Sequence, residues 1–299
     1  MITFPADVTD VIRLGDWLEL KAVAADDQNA SINDLVSPLR IAGAVNAYEQ
    51  IIMQVLREIE HRAVSAGQAY PFRLRRGVLR TRPNRSNYAA YLFCLGLSYF
   101  GWKQRRNAAI NPWFLFEDLA CIAAEQYLQG EVYPFGARSQ RTDRSFRNSI
   151  DELSLKLGEG KGFKEQPTLR RQDDKVDLIV WKHFSDKKPS KVVMFGQCAA
   201  GDNWTGKVNE LQPRAFWDHW LVDAPISSHL RSFYVPHRIP PEEWDYYARH
   251  TGILFDRCRV AYWAFKNNRA VLANRAYYQW FESVLSPRRR QSRSRQSAG

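Results

Sequence analysis

The sequence is poor in cysteine. Four occur among 299 residues, at positions 94, 121, 198 and 258, and no two form a CxxC pair. That spacing excludes a disulfide framework and a zinc site built on paired thiols, and it points to a reducing compartment. Three of the four sit in apolar runs and read as buried thiols. Long apolar runs are also missing: none reaches the roughly 20 residues that span a bilayer. Residues 1–20 contain acids and no apolar core of the kind a signal peptide carries. The expectation is a soluble, cytoplasmic chain with no membrane partner. The Gly-rich segment 158–167, GEGKGFKEQP, lacks the GxxxxGK[ST] spacing and follows no strand, so it reads as a flexible loop and not as a phosphate cradle. No internal repeat is present.

What the chain does have is apolar mass and positive charge. Hydrophobic residues make up 45% and aromatics 13%, enough for a sizeable core and too much for global disorder. The length suits one large domain or two small ones. Formal net charge is +11, a balance that favours a polyanionic partner, because neutralising phosphates releases counterions. Part of the excess is the tail, 286–299, which carries Arg288, Arg289, Arg290, Arg293 and Arg295 and has Ala298 as its one apolar residue. It reads as disordered and as a nucleic-acid-binding extension. A basic body remains without it.

Hydrophobic spacing predicts a helix over 7–24, a short helix broken near Pro38, and a strong amphipathic helix ending near Gly67. His61 reads as a solvated residue of that last helix. Segment 70–83, with five arginines, reads as extended, and 87–102 as a buried helix. The next helix has Pro112 near its start and Gly130 at its end. Within its apolar stretch FLFEDLACIAA stands Glu117, a carboxylate that is costly to bury unless paired or metal-bound. Glu125 is the alternative, eight residues on. Asp143 marks the start of a helix that closes at Gly158. Toward the C-terminus the pattern predicts a strand stopped by Pro236, a short helix ending at Gly252, a further strand leading into DRCR, and a final helix over 268–285. The DRCR tetrad places Asp256 and Arg257 near the sheet end, where they read as salt-bridged structural residues.

The chain is organised around residues 174–210. A cluster of acids, Asp173, Asp174 and Asp177, opens it. Two strand-like runs follow, VDLIVWKHF and KVVMFGQ, split by the turn SDKKPS. This is a β-hairpin signal. Antiparallel pairing would bring Asp177 and Gln197 to one end of the sheet, where oxygen ligands suit a hard cation. A helix, TGKVNELQPRAFWDHWL, is expected next. By strand alternation Gln197 and Ala199 face one way and Cys198 the other, toward the core. His183 and His219 are near in sequence, but nothing identifies a nucleophilic triad.

This pattern resembles the PD-(D/E)xK nuclease superfamily, the fold of many restriction and DNA-repair nucleases. That family sets an acid at the start of one strand, an (E/Q)-x-K tripeptide on its neighbour, and a further acid on the preceding helix. Here the tripeptide would be Gln197-Cys198-Ala199, with Ala in place of Lys. The string FGQCAAGDNW also resembles restriction-endonuclease-like proteins found beside bacterial defence genes. The resemblance covers roughly residues 110–260. It implies an α/β (α+β) fold: a restriction-endonuclease-like mixed central sheet flanked by helices over 106–285, after a mostly helical region over 1–105. It implies a magnesium- or manganese-dependent hydrolase acting on DNA, the effector of an antiviral defence system, with a partner defence protein and homo-oligomerisation left open. Glu117, Asp177, Gln197 and the carbonyl of Cys198 would hold Mg2+. Lys207 would replace the missing lysine from the following helix, with Lys182 on the first strand as a weaker replacement and with Asp174 and Glu210 as secondary candidates. The alternatives are a degenerate nucleic-acid-binding module and a basic interaction subunit of a defence complex.

Overall fold

A computed structural model of the chain describes residues 2–101, 110–135, 146–165 and 175–285. Asp143, Asp173, Asp174 and the tail arginines Arg288, Arg289, Arg290, Arg293 and Arg295 lie outside them.

The chain opens with helices α1 (Val11–Ala24), α2 (Val36–Ile41) and α3 (Tyr48–Ala66). Interleaved with them is an antiparallel sheet in the order β1-β3-β2, built from β1 (Asn29–Ser31), β2 (Phe72–Arg75) and β3 (Val78–Thr81). The extended reading of 70–83 is therefore a hairpin, and the mostly helical N-terminal region includes a small sheet. Helices α4 (Ala89–Phe100) and α5 (Pro112–Leu128) follow. Asn111 caps α5 by accepting the Trp113 N–H, and Pro112 fills its first position, where no N–H is needed.

The second sheet is mixed. Its order is β4-β5-β6-β7-β8, from β4 (Glu131–Pro134), β5 (Leu178–Lys182), β6 (Val192–Cys198), β7 (Ser228–Tyr234) and β8 (Ile253–Phe255). Strands β4, β5 and β6 pair antiparallel, while β6, β7 and β8 pair parallel. Helix α6 (Phe146–Leu157) precedes β5, α7 (Pro213–Trp220) joins β6 to β7, and α8 (Pro241–Thr251) joins β7 to β8. The chain ends with α9 (Arg257–Lys266), α10 (Asn268–Ala273) and α11 (Ala276–Leu285).

Alternation along the strands builds two cores, because successive side chains point to opposite faces. Leu178, Val180, Met194 and Tyr234 join α4, α5, α9 and α11 in one apolar cluster that runs from Leu14 to Val284. Ile179, Trp181, Val193 and Phe195 pack on the other face against Ile150 and Leu153 of α6 and Phe216 and Trp217 of α7. The turn from α5 into β4 requires glycine: a Cβ on Gly130 would lie 2.1 Å from the Trp181 carbonyl oxygen. Two helices expected as single are divided. Residues 204–207 form a short 3-10 turn and α7 starts only at Pro213, whose ring cannot continue a helix from the preceding turn. The last helix breaks at Asn274 between α10 and α11.

Three arginines are buried in this frame. Arg257, at the start of α9, donates to both carboxylate oxygens of Asp16 at 2.6 and 2.9 Å. Arg62 of α3 lies 2.8 Å from Asp16 and 3.0 Å from Glu19, both on α1, and bonds Glu58. Arg238, after β7, pairs with Glu58 at 3.0 Å and with Asp256. Tyr70 and Tyr91 both donate to Glu19. Burial would push Asp16 up, and the guanidiniums of Arg257 and Arg62 more than offset it, so its carboxyl sits below the ordinary range. Asp256 and Arg257 thus have the structural role expected of them, each with a partner from elsewhere in the chain.

Removing one partner of such a cluster leaves a buried charge uncompensated. Arg257→Ala is expected to destabilise the fold by about 3–5 kcal/mol, read from urea midpoints at neutral pH.

Candidate active site at the carboxyl end of β6

The hairpin of β5 and β6 sets the site. Leu178 pairs with Gly196, so the residues just beyond the ladder are Asp177 and Gln197, at one end of the sheet as the sequence predicts. Three backbone bonds hold Asp177 there. Its N–H donates to Gly196 O at 2.9 Å, and its C=O accepts the Phe135 N–H at 2.8 Å. Its carboxylate Oδ2 accepts the Cys198 N–H at 2.7 Å. In effect the carboxylate takes the place of the next strand residue.

Cys198 is therefore the hinge of the site. On its β7 side the ladder continues, with Ala199 N–H donating to Tyr234 O at 2.9 Å. The N–H and C=O of one strand residue point the same way, so the Cys198 carbonyl is aimed toward the Asp177 side. The Cys198 thiol is pushed well up by burial and then by the carboxylates of Asp177 and Glu117. It stays protonated at neutral pH, the opposite of what a nucleophilic thiol needs. Glu117 lies on α5, the helix that packs against β5 and β6. Alternation had aimed Cys198 at the core; its thiol does pack against that core, while its N–H donates to the Asp177 carboxylate.

Gln197 is buried. Its amide Nε2 donates to Glu210 at 2.9 Å, while its carbonyl Oε1 has no hydrogen-bond partner. Buried acceptors without partners are uncommon, and this one is an oxygen at the strand end where Asp177 stands. Glu210, a secondary candidate by sequence, thus orients the Gln197 amide. It follows Lys207 through a turn, with its N–H on the Lys207 carbonyl at 3.0 Å, and not along a shared helix face.

Lys207 extends back toward α5. Its Nζ lies 5.9 Å from the Trp113 ring centroid. Trp113 and Glu117 are four residues apart on α5 and share a face, so Lys207 lies on the Glu117 side. Lys182 does not. It pairs with Val192 at the opposite end of the hairpin, roughly 17 Å along the strand from Asp177. Glu125 lies two turns beyond Glu117, about 12 Å along the helix. Ala199, where the resemblance expects lysine, is sealed in an apolar cluster with Trp204, Val208, Phe233 and Val235. His183 accepts from Trp181 Nε1 near the far end of β5, and His61 is solvated.

Could the residues present hold a hard cation? Among the described residues no group of three or more His, Cys, Asp and Glu side chains is gathered for one. A ligand set here would combine two carboxylates with amide and peptide oxygens. The partnerless Gln197 oxygen and the aim of the Cys198 carbonyl fit that set, whose all-oxygen chemistry suits Mg2+ or Mn2+.

Sequence reasoning missed one neighbour. His237, just past the end of β7, accepts or donates at Nδ1 with Ser98 Oγ at 3.0 Å, and its ring stacks on Trp204. Burial, and then the positive charge of Arg257, push its pKa down to about 4. Only the strand-stopping Pro236 gave a local signal.

Comparison of the chain with protein-family models, with curated proteins and with solved structures gives no match.

His237 supplies a pH test. Its folded pKa of about 4 lies below the unfolded value near 6.5. The unfolded chain therefore binds the extra proton first, and stability falls as pH drops from about 6.5 toward 4. The shift corresponds to about 3 kcal/mol. His237→Gln should reduce the loss of stability between pH 7 and pH 4, measured by urea unfolding of both chains at each pH.

Proposed function

We propose that the chain is a metal-dependent phosphodiesterase acting on DNA, related in design to the PD-(D/E)xK nucleases. The observation that carries this reading is the strand-end constellation. The Asp177 carboxylate grips the Cys198 N–H at 2.7 Å, the buried Gln197 carbonyl has no partner, and Glu117 lies on α5, which packs against this hairpin. The mixed sheet flanked by helices, with α5 ahead of the hairpin, supports the same reading. So does the excess of positive charge.

Glu117, Asp177, Gln197 and the Cys198 carbonyl would hold Mg2+ or Mn2+, which when bound would polarise the phosphate and lower the pKa of a water. The chain's own groups do the rest. Backbone bonds on three sides of Asp177 fix its carboxylate in advance. Glu210 holds the Gln197 amide so that its oxygen faces the site. Lys207 brings a cation from the β6–α7 connection, positioned to stabilise developing charge. The bacterial-defence setting rests on the resemblance of FGQCAAGDNW alone.

One observation favours a second reading. Ala199 is fully buried among apolar side chains, so the usual lysine position cannot contribute. If Lys207 does not replace it, the chain is a nucleic-acid-binding module without catalysis.

The purified chain should nick supercoiled plasmid with Mg2+ or Mn2+ and not in EDTA. Asp177→Ala should abolish nicking while melting as a folded protein. Lys207→Ala should lower turnover by about 100-fold with little change in DNA affinity, because its charge acts on the transition state. Cys198→Ser should remain active, since its backbone and not its thiol does the work. Normal nicking by Asp177→Ala would sink the assignment; no nicking by any chain in either metal would leave the binding module.

A further inference from the structure

The small N-terminal sheet carries a feature that the candidate site does not explain. Strands β2 and β3 form a two-residue hairpin, with Arg75 opposite Val78 and Arg73 directly opposite Arg80. Phe72, Leu74 and Leu79 point to the core side. Arg73, Arg75 and Arg80 share the other face, and all three are exposed. Like charges directly opposite each other on a sheet are destabilising. Arg76 occupies the tip with φ 51°, a left-handed conformation that a non-glycine residue adopts at a cost. The local charge is one-sided, since no Asp or Glu occurs between Glu60 and Glu117. Among the described residues no ion pair involves Arg73, Arg75, Arg76 or Arg80, although Glu60 stands on the neighbouring helix.

Repulsion of this kind is relieved by a ligand with regularly spaced negative charge. Residues two apart on a strand are about 6.8 Å apart and face the same way, so Arg73 and Arg75 present their charges as a regular row beside Arg80. We infer that the β2–β3 hairpin is a second nucleic-acid contact, in which Arg73, Arg75, Arg76 and Arg80 bind the phosphate backbone of duplex DNA outside the strand-end site. The inference builds on the proposed action on DNA, but its binding test needs no cleavage.

The test is fluorescence anisotropy of a labelled 20-base-pair duplex titrated with full-length chain in EDTA, across a series of KCl concentrations. Two chains are compared: wild type and the triple variant Arg73→Ala, Arg75→Ala, Arg80→Ala. The triple variant should bind more weakly, with the slope of log affinity against log salt reduced by about 3. Its melting temperature should equal or exceed that of wild type, because the opposed charges are gone. Replacing the same three positions with lysine should restore most of the slope. An unchanged slope and affinity in the triple variant would overturn the inference, as would tighter binding to phosphatidylserine vesicles than to the duplex. Plasmid nicking by wild type, run separately in Mg2+, reports on the catalytic reading whichever way the binding result falls.

Discussion

Charge neutralisation in the interior is the constraint on which the rest of the molecule depends. Arg62, Arg238 and Arg257 are all buried, and each must find carboxylates, because an isolated charge in that setting would cost far more than the whole stability of a domain. The carboxylates come from α1, α3 and the start of α9. Arg238 and Arg257 lie within four residues of the ends of β7 and β8, so the same ion pairs that hold the N-terminal helices together also fix the carboxyl ends of the parallel strands. A cluster of this type is weak as a source of net stability and strict as a geometric requirement. It leaves few ways to arrange the helices against the sheet.

The candidate site inherits that rigidity. Gln197 and Cys198 end the strand next to β7, whose own end is pinned by Arg238 and by the His237–Ser98 bond. Asp177 is held by Gly196, Phe135 and Cys198. A carboxylate so placed needs little reorganisation to meet a cation, the kind of preorganisation on which electrostatic catalysis depends. Glu117 arrives from a separate element, α5, whose apolar face is buried in the large core.

Much of this was legible in the sequence where local pattern and tertiary outcome agree. The alternation in VDLIVWKHF and KVVMFGQ, split by a Pro-containing turn, specified the hairpin and hence the meeting of Asp177 with Gln197. Pro112 and Gly130 marked both ends of α5. The pattern failed where a single residue overrode it: Pro213 stopped the expected helix from running through Lys207, which put Glu210 against Gln197 instead of on a helix face with Lys207. Alternation also placed Cys198 facing the core without seeing that the end of β5 leaves its N–H and C=O to Asp177's side. Arg257 was marked within DRCR, but its partner Asp16 lies 241 residues away. Arg62 and Arg238 had no local signal. Nor did His237, whose partner Ser98 lies 139 residues away.

The central claim is that the oxygens at the end of β6 hold a divalent cation. Electron paramagnetic resonance of Mn2+ titrated into the full chain tests it without reference to any substrate. The account predicts saturable binding that is lost in Asp177→Ala, weakened in Gln197→Ala and retained in Cys198→Ala. Binding that is absent from wild type, or that survives unchanged in Asp177→Ala, would contradict it.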